Sequence, residues 1–390
     1  MKALPYGISD FPRLMREDYY YVDKTRFIEM LERQPPYLFL IRPRRFGKSL
    51  FLAMLEAYYS IDYADRFKEL FGELYIGQHP TKRHNSYMVL RFNFSAISSK
   101  LEDVECSFSE YCCMVMKNFI LKYEHLMGND VWKVVNPDET NPRQMLSALK
   151  EYVSRTDCPR IYLLIDEYDN FTNTILSSYG QERYREKTHG EGFIRGFFNN
   201  IKDSTSNAGA AVERLFITGV SPITMDDVTS GFNIGTNISM LPEFNSVIGF
   251  SMEEMREMVS YYKSESALPA DMTVDGLIET MKPWYDNYCF SSWNLDEKVF
   301  NSDMALYFLN SYLLRKRAPE MMIDSNIRTD YNKLRHLVQI DKRFGANASV
   351  IQQIIAEGSI TAQIATSFPA EKMADTENFK SLLFYFGMLS

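Results

Sequence analysis

Five short stretches, residues 37–42, 87–94, 160–166, 214–219 and 246–250, are apolar almost without interruption and rich in β-branched and aromatic side chains. A strand with one wet face alternates apolar and polar residues, whereas a strand covered on both faces does not. Between these stretches the apolar residues recur with helical period. Phe51, Met54, Leu55 and Tyr58 share a stripe within 48–59, and Tyr111, Val115, Phe119 and Tyr123 within 107–126. Leu146, Leu149 and Val153 do so within 142–156, where Pro142 stands near the first helical position, and Ile194, Phe197, Phe198 and Ile201 within 191–201. Covered strands alternating with amphipathic helices predict an α/β fold, a doubly wound parallel sheet flanked by helices.

The pattern changes after residue 250. Ser251 and Glu254 form a capping-box signature that opens a helix to about residue 262. Helices then dominate, with a small hairpin over 285–299. Residues 317–325 are polar, contain one proline and read as a linker, and 379–390 read as an apolar helix running to the last residue. Such an ending implies a chain cut before a further domain, or a surface that meets a partner. The expected division is an α/β domain over 1–250, a helical subdomain with a hairpin over 251–316, and a helical C-terminal region over 317–390. A chain of 390 residues accommodates two or three domains.

Composition narrows the class. Lysine and arginine number 43 against 51 acidic residues, a net charge of −8. A protein that coats nucleic acid over its whole surface is usually basic, so nucleic-acid contact would have to be local, and net charge gives it no support. The five cysteines form no paired spacing and read as reduced thiols of a cytoplasmic protein. The histidines are scattered, with no metal-binding spacing. No apolar run is long enough for a membrane span, and the N-terminus lacks the apolar stretch of a signal peptide.

The residues richest in chemistry are Ile41-Arg42-Pro43-Arg44-Arg45-Phe46-Gly47-Lys48-Ser49-Leu50. They follow an apolar strand and open an amphipathic helix, the context in which backbone N–H groups of a P-loop cradle phosphates. In that reading residues 44–50 form the cradle, Lys48 reaches the β- and γ-phosphates, and the Ser49 hydroxyl binds Mg²⁺. Arg42 stands where the full motif has glycine. Arg42, Arg44 and Arg45 either help neutralise phosphate or are solvated or acid-paired.

The stretch 160–166 ends in Asp166-Glu167-Tyr168-Asp169, as a Walker B strand does. Asp166 would hold Mg²⁺ through water and Glu167 would polarise the attacking water. Asp169 is either a supporting carboxylate or a helix N-cap. One strand lies between loop and acids in sequence, the order of P-loop ATPases with an additional strand. In that class a polar side chain at the end of the fourth strand contacts the γ-phosphate or the lytic water. Thr218 and Ser221 are the candidates, though both also suit an ordinary turn.

These residues together resemble the bacterial AAA-ATPase-like family. The matching stretches are Leu4-Pro5-Tyr6-Gly7-Ile8-Ser9-Asp10-Phe11, Tyr21-Val22-Asp23-Lys24-Thr25, the loop 42–49, Asp166-Glu167-Tyr168-Asp169 and Thr218-Gly219-Val220-Ser221-Pro222. Tyr285-Asp286-Asn287-Tyr288-Cys289-Phe290 is similar to the family's Tyr-Asp-Gly-Tyr-x-Phe motif, with Asn287 for glycine and a turn expected there. The resemblance covers about 4–310. It implies that Arg42 belongs to the family's own loop, that ATP and Mg²⁺ are cofactors, and that a winged-helix-like helical region follows the ATPase core. It also implies that a PD-(D/E)XK nuclease-like effector often follows. Residues 23–25 would cover the base or sense nucleotide state, unless Asp23 only caps a helix over 24–33.

A nuclease site within the chain would need a carboxylate and a strand-borne [DE]-x-K. The formal match, Asp286 with Asp296-Glu297-Lys298, falls in the hairpin, and no nuclease site is expected here. The leading expectation is a Mg²⁺-dependent ATPase that couples nucleotide state to the helical region or an attached effector. The alternatives are a non-enzymatic ATP-gated switch for a protein partner and the ATPase part of a DNA-processing system.

Overall fold

The computed structural model describes residues 1–98, 100–188, 192–203, 210–223, 235–293, 295–324 and 346–389. Four of the five apolar stretches become strands β1 (Tyr37–Ile41), β2 (Met88–Asn93), β3 (Ile161–Asp166) and β4 (Val212–Gly219). With β5 (Thr236–Asn237) they form one sheet in the order β2-β3-β4-β1-β5, every pairing parallel. All residues of β1 and β3 are buried, which explains their unbroken apolar runs. β4 separates the loop-bearing β1 from the acid-tipped β3. Leu40 pairs with Thr218, Ile41 with Gly219 and Ile165 with Ile217, so the three carboxyl ends lie side by side. In open α/β sheets ligands bind beyond such ends. This is a P-loop NTPase-like α/β fold.

The helices that cover the sheet follow the expected stripes: Lys48–Tyr59, Val104–Met127, Pro142–Arg155 and Phe193–Asp203. The edge strand β2 is protected from further pairing by tyrosines of the helix Val104–Met127. The Val89 N–H donates to the Tyr123 hydroxyl (3.1 Å) and the Asn93 N–H to the Tyr111 hydroxyl (2.7 Å).

The fifth stretch, 246–250, is not part of this sheet. Val247 and Ile248 are buried in an irregular segment, and the chain turns at Gly249 (φ +79°). Full burial explains why the segment reads like a covered strand, but its Gly249 N–H bonds the carbonyl of Phe46 (3.0 Å) rather than a neighbouring strand. Phe250–Ser251 (β6) instead joins an antiparallel sheet with β7 (Asp286–Tyr288) and β8 (Val299–Phe300), in the order β6-β8-β7. The turn expected at Asn287 is strand backbone.

Helices Met252–Ser264, Val274–Tyr285 and Ser302–Arg315 pack on this small sheet around Met255, Met258, Ile278, Met281 and Phe308. The Ser251–Glu254 capping box forms as read. Leu4, Tyr6, Tyr20 and Val22 of the N-terminal segment pack against the same cluster, while Phe11 belongs to the larger core of the α/β sheet. The N-terminal segment therefore straps the two parts together.

Residues 317–324 are not a free linker. Their carbonyls at Arg317, Met321 and Met322 accept hydrogen bonds from Ser311, Tyr307 and Tyr285, and Asp324 is buried. Residue 325 lies outside the described residues. The apolar helix Thr376–Tyr385 buries Phe379, Leu382 and Tyr385 in the chain's own larger core, which accounts for its composition. Among the described residues no helix is long and apolar enough to cross a membrane.

Candidate functional site

β1 leads into loop 42–47 and then directly into the helix Lys48–Tyr59. Arg45 (φ +68°) and Gly47 (φ +93°) take left-handed backbone, which coils the loop around the helix N-terminus. The first turn of that helix faces a cavity of about 350 Å³, lined here by Gly47, Lys48, Ser49 and Leu50. The Lys48 ammonium is almost wholly buried and donates to the carbonyls of Arg42 (3.0 Å) and Pro43 (2.9 Å). Burial pulls its pKa down, opposed by the carboxylates of Glu167, Asp166 and Asp169.

The loop arginines have three different fates. Arg42 is fully buried and points away from the cavity lining. Its guanidinium donates to the carbonyls of Ser239 and Phe244 and lies 3.9 Å over the Phe290 ring. Arg42 therefore anchors the root of the loop. Burial brings its pKa to about 9, so it stays charged at neutral pH. Arg44 is exposed, and Arg45 pairs with Asp303 at 3.7 Å. Phe46 is buried edge-on to Tyr288 (4.9 Å) and Phe290 (5.4 Å), tying the loop to the 285–290 motif.

The start of the helix Ser302–Arg315 grips the loop from the other side. Asn301 Nδ2 donates to the Arg44 carbonyl, and the Ser302 hydroxyl and Asp303 N–H both donate to that of Arg45, each at 3.3 Å. Asn301 also caps its own helix by accepting from the Met304 N–H. One Asp303 oxygen is buried without a hydrogen bond among the described residues. Burial holds this carboxyl above the usual range, with Arg45 opposing.

At the tip of β3, Asp166 is fully buried and is not part of the cavity lining. Its Oδ1 accepts from the Thr218 hydroxyl at 2.7 Å, and its Oδ2 has no hydrogen-bond partner. Glu167 (φ +54°) turns out of the strand and lines the same cavity as Lys48 and Ser49. Burial raises its pKa, opposed first by Lys48. Asp169 immediately precedes the helix Asn170–Thr188, and its carboxylate accepts the N–H groups of Val220 and Ser221 and the Asn173 amide, locking the end of β4 against the acidic turn. Thr218 and Ser221 lie beside this lock and not on the cavity lining. The Ser221 hydroxyl accepts from the Ile223 N–H, so it shapes the turn.

The rest of the cavity comes from segments that patterning did not assign to the site: Gly7 and Ile8, Tyr20 and Tyr21 in the strap, and Met258 and Leu306 in the helical part. Lys24 also lines it, nearly buried, with its ammonium on both Glu254 oxygens (2.6 and 2.7 Å) and the Ser246 carbonyl (2.9 Å). Asp23 is outside the lining. It closes a turn on Thr25 and accepts from the Tyr75 N–H, ahead of a helix that begins at Phe27. The quoted motif 21–25 was the available signal for this wall. Asp286 sits on β7 while residues 296–298 are exposed, and among the described residues no group of three His, Cys, Asp or Glu side chains could hold a metal ion.

The uncharacterized protein in the vnfD 5′ region of Azotobacter chroococcum mcd 1 is 27% identical over 341 residues, which cover 83% of this chain. The chain spans 56% of that relative's length. The profile of the AAA-ATPase-like family, predicted AAA-ATPases, matches residues 5–229 and supports a nucleotide-binding, ATPase-like module. A match over more than half of the 390 residues, taking in the loop 42–47 and the acidic end of β3, makes this chain a member of the AAA-ATPase-like family.

Proposed function

We propose that the cavity binds ATP with Mg²⁺ and that the chain hydrolyses the β–γ phosphoanhydride bond, giving ADP and phosphate. The observation that carries this reading is that Lys48 and Glu167, far apart in sequence, line one cavity at the N-terminus of the helix Lys48–Tyr59. Free N–H groups there, the helix dipole and the ammonium all favour phosphate. The donor set fits a hard cation: Asp166 has a buried oxygen without a hydrogen bond among the described residues, and Ser49 offers a hydroxyl at the cavity. Asp166 and Ser49 would hold Mg²⁺, which neutralises charge on the β- and γ-phosphates when bound. Glu167 orients a water and takes its proton as the oxygen attacks phosphorus and the bond to the ADP oxygen breaks. The Lys48 charge faces the phosphates, and Thr218 holds the Asp166 carboxylate in place.

The grip of Asn301, Ser302 and Asp303 on the loop carbonyls supports a second reading. In it the bound nucleotide sets the position of the helical part, and the chain acts as an ATP-gated switch with negligible turnover. Nucleotide binding and phosphate release by the purified chain decide between the two. On the ATPase reading Lys48→Ala loses binding, while Glu167→Gln keeps binding and loses at least about a hundredfold in rate, the scale of general-base catalysis. Tight binding without phosphate release by the unaltered chain selects the switch. Undiminished turnover by Glu167→Gln removes that residue from the chemistry.

A further inference from the structure

Arg91 stands on β2, outside both the phosphate loop and the acidic strand end, and no sequence motif points to it. Its position follows from the sheet: β2 pairs with β3, and Arg91 lies opposite Leu164, two residues before Asp166. The half-buried guanidinium makes three contacts that converge on the region assigned to the metal. Nη1 donates to Glu56 Oε2 at 2.9 Å. Nη2 donates to the backbone carbonyl of Ser49 at 3.4 Å. The same Nη2 lies 4.0 Å from Asp166 Oδ2, the carboxylate oxygen without a hydrogen bond.

We propose that Arg91 is a positioning residue for the metal–nucleotide site, one planar cation that sets the first turn of the helix Lys48–Tyr59 against the tip of β3. This rests on the assignment of Ser49 and Asp166 as the metal-holding pair. The two residues come from separate elements, and a cation site tolerates little error in their relative position. Thr218 fixes one oxygen of Asp166 from β4. Arg91 attracts the other from β2 and holds the Ser49 backbone with the same nitrogen. Glu56 matters for the sign of the effect. It pairs with Arg91 closely and offsets its charge, so the guanidinium acts as a brace and not as a competitor for the incoming cation. A fork of fixed shape is needed to reach three acceptors at once, which an ammonium does not supply.

The test is a Mg²⁺ titration of fluorescent ATP-analogue binding by the full chain, beside the same binding in EDTA. Groups that orient metal ligands typically contribute about 10–100-fold in metal affinity. Arg91→Met is expected to raise the Mg²⁺ half-saturation at least about tenfold and to leave metal-free nucleotide affinity within about threefold of the unaltered chain. Arg91→Lys should recover only part of the loss. Glu56→Gln keeps the shape, leaves the guanidinium uncompensated beside Asp166, and should also raise the half-saturation, which provides a test even where Arg91→Met fails to fold. A purely structural role would weaken metal-free and metal-bound affinity equally, and that result overturns the proposal. So does a half-saturation that stays the same or falls. An unaltered chain that binds no nucleotide, or binds it without Mg²⁺ dependence, overturns the functional reading together with this inference. Normal Mg²⁺ dependence that survives Arg91→Met and Glu56→Gln overturns this inference alone.

Discussion

The Thr218 hydroxyl donates to Asp166 Oδ1 at 2.7 Å, and both side chains are fully buried between β4 and β3. Among the described residues Asp166 Oδ2 has no hydrogen bond, and the bond from Thr218 is the carboxylate's one direct hydrogen-bonded anchor. Thr218→Val keeps the shape and leaves both oxygens without a donor. A buried acceptor stripped of its partner costs about 1–3 kcal/mol. The urea midpoint should fall accordingly with an unchanged slope, and Thr218→Ser should restore most of it. An unchanged midpoint for Thr218→Val would mean that the bond contributes nothing.

Arg42→Gly would bring the loop to the common glycine-bearing P-loop pattern, yet it is expected to damage the protein. The substitution removes donors from the carbonyls of Ser239 and Phe244 and the cation from the face of Phe290. The Ser239 carbonyl left without this donor, a Phe244 carbonyl left with only the Val247 N–H, a lost cation–π contact and a cavity together come to about 3 kcal/mol or more. Arg42→Lys should recover little, because one ammonium does not reproduce the fork. Chemical denaturation gives the answer, and an Arg42→Gly chain as stable as the original would refute the anchoring role.

The same residue shows where sequence reading stops. The loop, the helix Lys48–Tyr59 and the acidic end of β3 were legible because each is written in adjacent residues with a fixed period or spacing. The partners of Arg42 are brought to it only by folding, and its buried hold on the carbonyls of Ser239 and Phe244 is neither the phosphate-neutralising nor the solvated or acid-paired role that its sequence position suggested. The error over 246–250 has a related cause. Burial makes a segment apolar, but Val247 and Ile248 are buried by a loop that supports Phe46, while the real fifth strand, Thr236–Asn237, is too short and polar to show as a run. The strap and helical walls of the cavity were hidden in the same way, because Gly7, Tyr20, Met258 and Leu306 carry no chemistry in isolation.

Asp303 provides a test of the contact between the helical part and the loop, through its pH dependence. Its carboxyl is largely buried, one oxygen has no hydrogen bond, and burial holds its pKa above the unfolded value despite Arg45. The folded chain therefore binds the proton more readily than the unfolded chain. Stability from this group is fully present below the unfolded pKa and is lost as pH rises through the folded one. At neutral pH the ionised Asp303 is a net cost, because its pair with the half-exposed Arg45 is worth little. Asp303→Asn removes the charge and keeps the shape. It should raise Tm at pH 7 by about 2–4 °C, the shift that roughly 1 kcal/mol produces in a domain of 150–250 residues. The advantage should shrink as pH is lowered through the raised pKa of Asp303, because the carboxyl then takes up its proton in the folded chain. Thermal unfolding of both proteins between pH 4 and 7.5 checks this. A Tm difference that is constant with pH, or a variant less stable at neutral pH, would show that the Arg45 pair outweighs the burial of the carboxylate and that this contact holds the loop by attraction.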